Sequence, residues 1–281
     1  VEADEVRALY DPGYAAMYEE RFLLHGWSRH NAEFEVELLG QLLDRDASRA
    51  KAPRWLDVGC GSGWFLSRFR GVDRSGLDLS PAMLDIARRN SPDAELREGS
   101  FLDRHDDWTG HWDVVSCMWF AYCYAGTLDR VEQVLDNLSR WTATGGAVFL
   151  PVCDFELLAG GRSVPYENKD IGVFGGPLQI TSVTWDWTDE VGGKRHEHLV
   201  APHIDHVARR LRPHFDSVSY VTYPRFEPDA VPRRALLATG KRAEAAATRA
   251  AEPRGAPLTS PAVVRRRSRY WRRRLARRLG R

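Results

Sequence analysis

The sequence has little of what marks several protein classes. Its 281 residues include four cysteines, Cys60, Cys117, Cys123 and Cys153, with no CxxC pair among them. A disulfide scaffold or zinc ribbon is therefore not encoded. Three of the four fall in or beside buried strand patterns and read as reduced core thiols. No apolar run approaches the roughly 20 residues that cross a bilayer, and neither end reads as a signal peptide. We therefore expect a cytoplasmic enzyme. A formal net charge of only +1 hides a division. Residues 241–281 hold fourteen Lys/Arg against two Glu, and the preceding 240 hold 26 Lys/Arg against 37 Asp/Glu. An acidic body with a basic tail argues against a nucleic-acid-binding core. No internal repeat is present.

The chain is organised around Trp55-Leu-Asp57-Val-Gly59-Cys60-Gly61-Ser62-Gly63-Trp64-Phe65. Trp55, Leu56 and Val58 form the apolar run of a strand covered on both faces. Gly59, Gly61 and Gly63 then remove every Cβ that would hold a ligand off the backbone. Ser62 reads as the N-cap of a helix over 62–70. Such a turn presents free amide N–H groups at the carboxyl end of the strand. It is not the dinucleotide fingerprint, which needs a glycine where this chain has Trp64.

From 52 to 152, strand patterns near 54–59, 75–79, 94–98, 112–117 and 146–152 alternate with helices near 62–70, 80–90 and 127–141. Ser80 is the N-cap of the second, with Pro81 at N1; Ser100 to Asp107 reads as loop or turn. The alternation predicts an α/β fold: a doubly wound, Rossmann-like, mostly parallel seven-stranded sheet. Residues 1–48 read as N-terminal helices over 2–24 and 30–43. The first is broken at Asp11-Pro12-Gly13, leaving Tyr10, Tyr14 and Tyr18 along one edge. In the second, Phe34, Leu38, Leu39, Leu42 and Leu43 recur at helical spacing. After Pro151 a β-rich cap insertion is expected at about 153–202, between strands five and six of a core spanning 49–240. Within it, Leu178–Asp189 and Lys194–Val200 alternate like two strands joined at Gly192-Gly193. A helix near 204–211 and strands near 216–223 and 234–239 follow. Residues 241–262 read as a linker. Residues 263–281 hold ten arginines with Val264, Trp271, Leu275 and Leu279 near one face. That pattern suits an anionic membrane surface or an acidic partner, and equally a solvated tail.

Two further features bear on the glycine turn. Asp78 ends the second strand, placed to accept both hydroxyls of a ribose. Glu98-Gly99-Ser100-Phe101 ends the third, where an adenine could rest between apolar walls. Asp57-Val-Gly-Cys-Gly-Ser-Gly63, Gly76-Leu-Asp78-Leu-Ser-Pro-Ala-Met-Leu84, Glu98-Gly-Ser-Phe101 and Trp112-Asp-Val-Val-Ser116 together resemble a class I S-adenosylmethionine-dependent methyltransferase. The resemblance covers residues 50–152 well and 1–240 in outline. It implies S-adenosyl-L-methionine as cofactor. By it, Gly59, Gly61 and Gly63 lie under the methionine end, which Asp57 helps to hold. Asp78 takes the ribose diol, Ser100 and Phe101 border the adenine, and Leu79 and Met118 complete the donor set. Family members usually carry Asp where this chain has Ser100, with Asp103 as a potential substitute.

More narrowly, Tyr10-Asp-x-x-Tyr14 before the core, Val115-Ser-Cys-Met118 and the cap resemble small-molecule methyltransferases, including those acting on amino groups of antibiotic sugars. Tyr14 would then approach the acceptor or the donor sulfonium. The run Pro151-Val-Cys-Asp-Phe155 and the basic tail depart from that pattern. A hydroxyl acceptor needs a general base, whereas an amine needs only to be neutral. His196 and His198 are the catalytic candidates, expected to share one face of a strand; His203, His206 and His105 are others. Asp205 with these histidines is an alternative metal patch, although no spacing is diagnostic and no metal is expected. Trp119, Phe120, Tyr122 and Tyr124 offer an aromatic platform for a sugar face. The expected activity is methyl transfer to oxygen or nitrogen of a small molecule or glycan. The alternatives are an RNA or protein methyltransferase recruited by its tail, and a non-catalytic donor-binding partner.

Overall fold

The computed structural model describes residues 2–44, 51–168, 176–189 and 192–243. Most of the expected linker, and all of the basic tail, lie outside the described residues. Three helices, α1 (Ala3–Leu9), α2 (Pro12–Phe22) and α3 (Gly26–Leu43), precede the sheet. The break at Asp11-Pro12 is a helix start: Pro12 sits at N1 and Asp11 Oδ1 accepts from the Tyr14 N–H at 2.9 Å.

The alternating core follows as β1 (Arg54–Val58), β2 (Asp73–Asp78), α4 (Pro81–Asn90), β3 (Glu95–Glu98), β4 (Trp112–Ser116), α5 (Leu128–Trp141) and β5 (Thr142–Val152). Ser80 caps α4 and Thr127 caps α5, each hydroxyl accepting from an N–H three residues on at 3.2 Å. Then come α6 (Phe155–Leu158), β6 (Glu167–Asn168), β7 (Leu178–Gln179), β8 (Ser182–Asp189), β9 (Lys194–Pro202), α7 (Ile204–Leu211), β10 (Phe215–Thr222) and β11 (Arg234–Lys241). Seven strands form one sheet in the order β10-β11-β5-β4-β1-β2-β3. It is parallel from β3 to β5, and β11 is antiparallel to both of its neighbours. This is the mostly parallel, Rossmann-like sheet that the alternation predicts. The connections reverse between β1 and β4, which opens a crevice at their carboxyl ends. Trp55, Leu56 and Val58 are wholly buried, as a central strand covered on both faces requires.

Three expectations are corrected. No helix spans 62–70; a single 3-10 turn, Leu66–Arg68, stands there, and Ser62 caps nothing. Ser67 Oγ donates to the Trp64 carbonyl at 2.7 Å, a local bond that competes with helix propagation. The run 178–189 is two strands, because Leu178–Gln179 pairs with β6 and only Ser182–Asp189 pairs with β9. The β8–β9 ladder also slips between Trp185 and Trp187. Opposite the slip His198 adopts a left-handed φ of 58°, its N–H bonded to Asp186 Oδ1 at 2.7 Å. His196 is therefore buried and His198 exposed, and they do not share a face.

Gly63 has φ +69°, and a Cβ there would lie 2.9 Å from the Ala87 Cβ of α4. It is a packing glycine. Gly63→Ala should destabilise the fold by about 2–4 kcal/mol in urea unfolding, combining backbone strain with overpacking. A change under about 0.5 kcal/mol would contradict this reading.

Candidate active site

A cavity of about 190 Å³ lies over the carboxyl ends of the parallel strands. Of the sequence-predicted set, Gly59, Gly61, Asp78, Leu79, Ser100, Phe101 and Met118 line it. A recess of about 30 Å³ lies alongside, lined by Asp57 and Trp64, and it shares Gly59, Gly61, Tyr18, Met118 and Trp119 with the larger space. Gly63 lines neither, which corrects its expected place under the ligand; its missing Cβ serves the contact with α4. Gly59 and Gly61 do shape the crevice floor. A Cβ on Gly59 would meet Ala121 at 2.5 Å, and one on Gly61 would point into open space.

The two carboxylates are held differently. Asp57 ends β1 fully buried, and its Oδ1 accepts from Ser116 Oγ at 2.7 Å. Ser116 is itself fixed by the Trp55 indole N–H at 2.9 Å. Asp57 Oδ2 has no partner. Burial pushes this carboxyl up to about 7, against the Ser116 hydrogen bond and with a small addition from Asp78. Asp78 accepts from the Gly61 N–H at 2.8 Å and the Ser80 N–H at 2.9 Å. It braces the turn with one lone pair of each oxygen and leaves the others for a ligand. Burial raises its pKa as well, against these backbone bonds.

A second cluster forms where the cap hairpin β8–β9 meets α2. Tyr10 O–H donates to Tyr124 Oη at 2.9 Å, and Tyr124 stands 2.6 Å from His196 Nδ1. Tyr14 Oη lies 3.4 Å from His196 Nε2. With Tyr124 donating to Nδ1, the imidazole proton falls on Nε2, towards Tyr14. Trp187 stacks on the His196 ring at 4.2 Å and 10°. Burial, aided by the Lys194 charge, pushes His196 down to about 4, so it is neutral at physiological pH. Tyr10, Tyr18 and Tyr124 line the cavity, and Tyr14 and His196 stand behind them.

The remaining histidines serve the scaffold. His203 caps α7 and bonds the Val164 carbonyl at 2.7 Å. His206 joins Tyr166 to Glu132, and His105 bonds the Ser100 carbonyl at 3.1 Å. Among the described residues no group of His, Cys, Asp or Glu is placed to hold a metal ion.

Residues 56–146 match the family model described as a methyltransferase domain. That stretch is a methyltransferase domain, and its sheet order and crevice are those implied by the resemblance to class I S-adenosylmethionine-dependent methyltransferases. Two curated relatives match over about half of the chain. A dTDP-4-amino-2,3,4,6-tetradeoxy-D-glucose N,N-dimethyltransferase of Saccharopolyspora spinosa is 32% identical over 150 residues, 52% of this chain and 57% of its own. A dTDP-3-amino-3,4,6-trideoxy-alpha-D-glucopyranose N,N-dimethyltransferase of Streptomyces venezuelae is 29% identical over 144 residues, 50% of this chain and 57% of its own. The chain thus spans a little over half the length of these relatives. The solved 1,6-didemethyltoxoflavin-N1-methyltransferase of Burkholderia thailandensis shares the fold, with TM-score 0.53 and 14% identity over 86% of this chain and 92% of that one.

The methyltransferase crevice fits its donor. Asp57 Oδ2 is an orphaned buried acceptor beside the glycine floor, suited to an ammonium group. Asp78 keeps free lone pairs for a diol, and Phe101 supplies an apolar wall. Asp103 is exposed and lines neither cavity, so it does not stand in for Ser100.

Sequence reading missed a buried pair at the cavity edge. Trp119 and Phe120 have left-handed φ values of 50° and 65°, a strain of about 1–3 kcal/mol each. That backbone lets Trp119 Nε1 donate to Glu35 Oε2 at 2.9 Å and places the Arg233 guanidinium over both rings, at 4.5 and 4.3 Å. Tyr223 O–H donates to Glu35 Oε1 at 2.8 Å. The signal was available: Glu35 shares a buried stripe of α3 with Ala32, Leu39 and Leu42.

The crevice also carries a pH signature. The folded chain keeps a proton on Asp57 that the unfolded chain loses near 4. Its stabilising effect is therefore full below about 4 and is lost as pH rises through about 7. An ammonium ligand needs the ionised form, so binding releases that proton. Between pH 5.5 and 7.5 the affinity for S-adenosylhomocysteine should rise about twentyfold, and Asp57→Asn should flatten the profile. A flat wild-type profile by calorimetry would contradict this assignment.

Proposed function

We propose that the chain transfers methyl groups from S-adenosylmethionine to the amine of a small sugar-type acceptor, twice at the same nitrogen. The observation that carries this reading is that, among the described residues, none of the candidate histidines stands free at the cavity as a general base. His196 is neutral, buried and bonded at both ring nitrogens to phenols. His198 is exposed, and the other candidate histidines are engaged by the scaffold. A hydroxyl acceptor would need its proton removed, whereas a neutral amine already offers a lone pair. The two curated relatives, named as N,N-dimethyltransferases of nucleotide-linked amino sugars, support the same choice.

S-Adenosylmethionine supplies an electrophilic methyl on a cationic sulfur. The chain's part is to bind, align and exclude water. Asp57 and Asp78 hold the two polar ends of the donor on the glycine floor. Met118 and Trp119, which border both spaces, wall the region between them. His196 and Tyr14 fix Tyr124, and through it Tyr10, at the cavity wall as positioning residues. His198 has no part in this arrangement.

Among the described residues no helix is long and apolar enough to cross a membrane. An anionic surface or acidic partner for residues 263–281 is a proposal resting on their arginines and spaced apolar residues. Cytoplasmic residence, with peripheral attachment through that tail, is proposed on the same footing.

Incubation with methyl-labelled donor and a nucleotide-linked amino deoxysugar should give a product two methyls heavier, and the hydroxyl counterpart should stay unlabelled. Equal methylation of the hydroxyl sugar, or label confined to RNA or protein, would overturn the reading. His196→Asn should lower kcat about tenfold while leaving S-adenosylhomocysteine affinity within about twofold, because it acts on the phenols and not on the donor cavity. A parallel loss of donor binding would place His196 in the donor site instead.

A further inference from the structure

From the geometry of the outer cavity wall we infer that Glu2, on the N-terminal segment, is the residue that reads the exocyclic amine of the donor's adenine. The inference rests on the donor reading above and adds a specificity residue to it. An adenine amine buried without an acceptor loses its hydrogen bonds to water, so some group must take its N–H. In the loop after β3 the Ser100, Phe101 and Leu102 oxygens each already accept a hydrogen bond. Ser100 Oγ accepts from the Leu102 N–H at 3.1 Å, and the Ser100 carbonyl is bonded to His105 Nε2 at 3.1 Å. The Phe101 and Leu102 carbonyls take the side-chain amides of Asn137 and Gln133 at 2.9 and 2.7 Å. Asp103 lines neither cavity.

Two carboxylates line the cavity among the described residues, Asp78 and Glu2. Asp78 is committed to the glycine turn and the ribose end. Glu2 is brought to the opposite end by Arg130, whose Nη1 and Nη2 both donate to Glu2 Oε1, at 3.1 and 3.2 Å. Arg130 lies one helical turn before Gln133 on α5, on the face that grips Leu102 and Phe101. The Glu2 carboxylate therefore stands at the adenine edge of the cavity. Arg130 takes only Oε1, and the Glu2 side chain also closes the α1 capping box with the Glu5 N–H, leaving acceptor capacity for one further donor.

This placement couples recognition to closure. Glu2, Ala3 and Val6 form the outer wall of the cavity, yet α1 has no buried residue. Surface ion pairs hold its ends: Glu2 to Arg130, and Arg7 to Glu98 at 3.7 Å. The base is read only when α1 is seated.

The test compares S-adenosylhomocysteine with its analogue carrying purine in place of adenine, by calorimetry on the full chain. The wild type should prefer the amine-bearing ligand about threefold to tenfold, as expected for a charge-assisted hydrogen bond to an exposed carboxylate. Glu2→Ala should bring the two ligands within about twofold, and Ser100→Asp in that background should restore the preference. Arg130→Ala, which breaks the latch and keeps the carboxylate, should weaken both ligands alike while keeping some preference. Glu2→Ala that weakens both equally with the preference intact would make Glu2 a latch only and overturn the assignment. Binding of neither ligand by the wild type would instead overturn the donor reading, and the assignment with it.

Discussion

The rest of the site depends on a carboxylate buried with one oxygen unpartnered. Asp57 ends the central strand of a sheet covered on both faces, where an ionised group is costly. Trp55 and Ser116 lock one of its oxygens, so the other can face only the recess. The other oxygen therefore lacks a protein partner, and a cationic group placed in the recess would supply one. The glycine floor, the braced Asp78 and the neighbouring recess all fit a ligand with an ammonium at one end and a diol further along.

The proposed acceptor side is built by tying together parts remote in sequence. Lys194 of β9 bonds Asp11 at 2.6 Å and the Ala8 carbonyl at 3.1 Å, and Arg21 of α2 pairs with the buried Asp189 at the end of β8. Between these ties sit Tyr14, His196 and Trp187. A neutral imidazole held between two phenols is a rigid spacer more than a base, because protonating it means placing charge among aromatic rings. Such a cluster suits the proposed amine acceptor, which arrives ready to react.

Much of the core was legible in the sequence because local chemistry sets it. The Ser80 cap, Pro81 at the start of its helix and the apolar runs in the strands act within a few residues. The failures share a physical cause. Helix 62–70 was lost to Ser67 bonding its own backbone, which composition does not distinguish from a helical serine. The pairing of His196 with His198 failed on a slip in the ladder, and a single extra residue turns a side chain to the opposite face. Gly63 fits the family pattern, yet its space is taken by Ala87, a neighbour that only the fold supplies. Glu2 and Arg233 act through contacts more than a hundred residues away, beyond the reach of any periodicity. Glu35 was the readable exception, a charge standing on an otherwise apolar stripe.

The most direct test of the account is the titration of the Asp57 side-chain carboxyl by carbon-13 NMR, with and without saturating S-adenosylhomocysteine. The account predicts a carboxyl that titrates near 7 in the free protein and stays ionised down to about 5 once an ammonium sits on its free oxygen. A titration that saturating ligand leaves unmoved would show that Asp57 does not hold the donor, and the crevice would need another occupant.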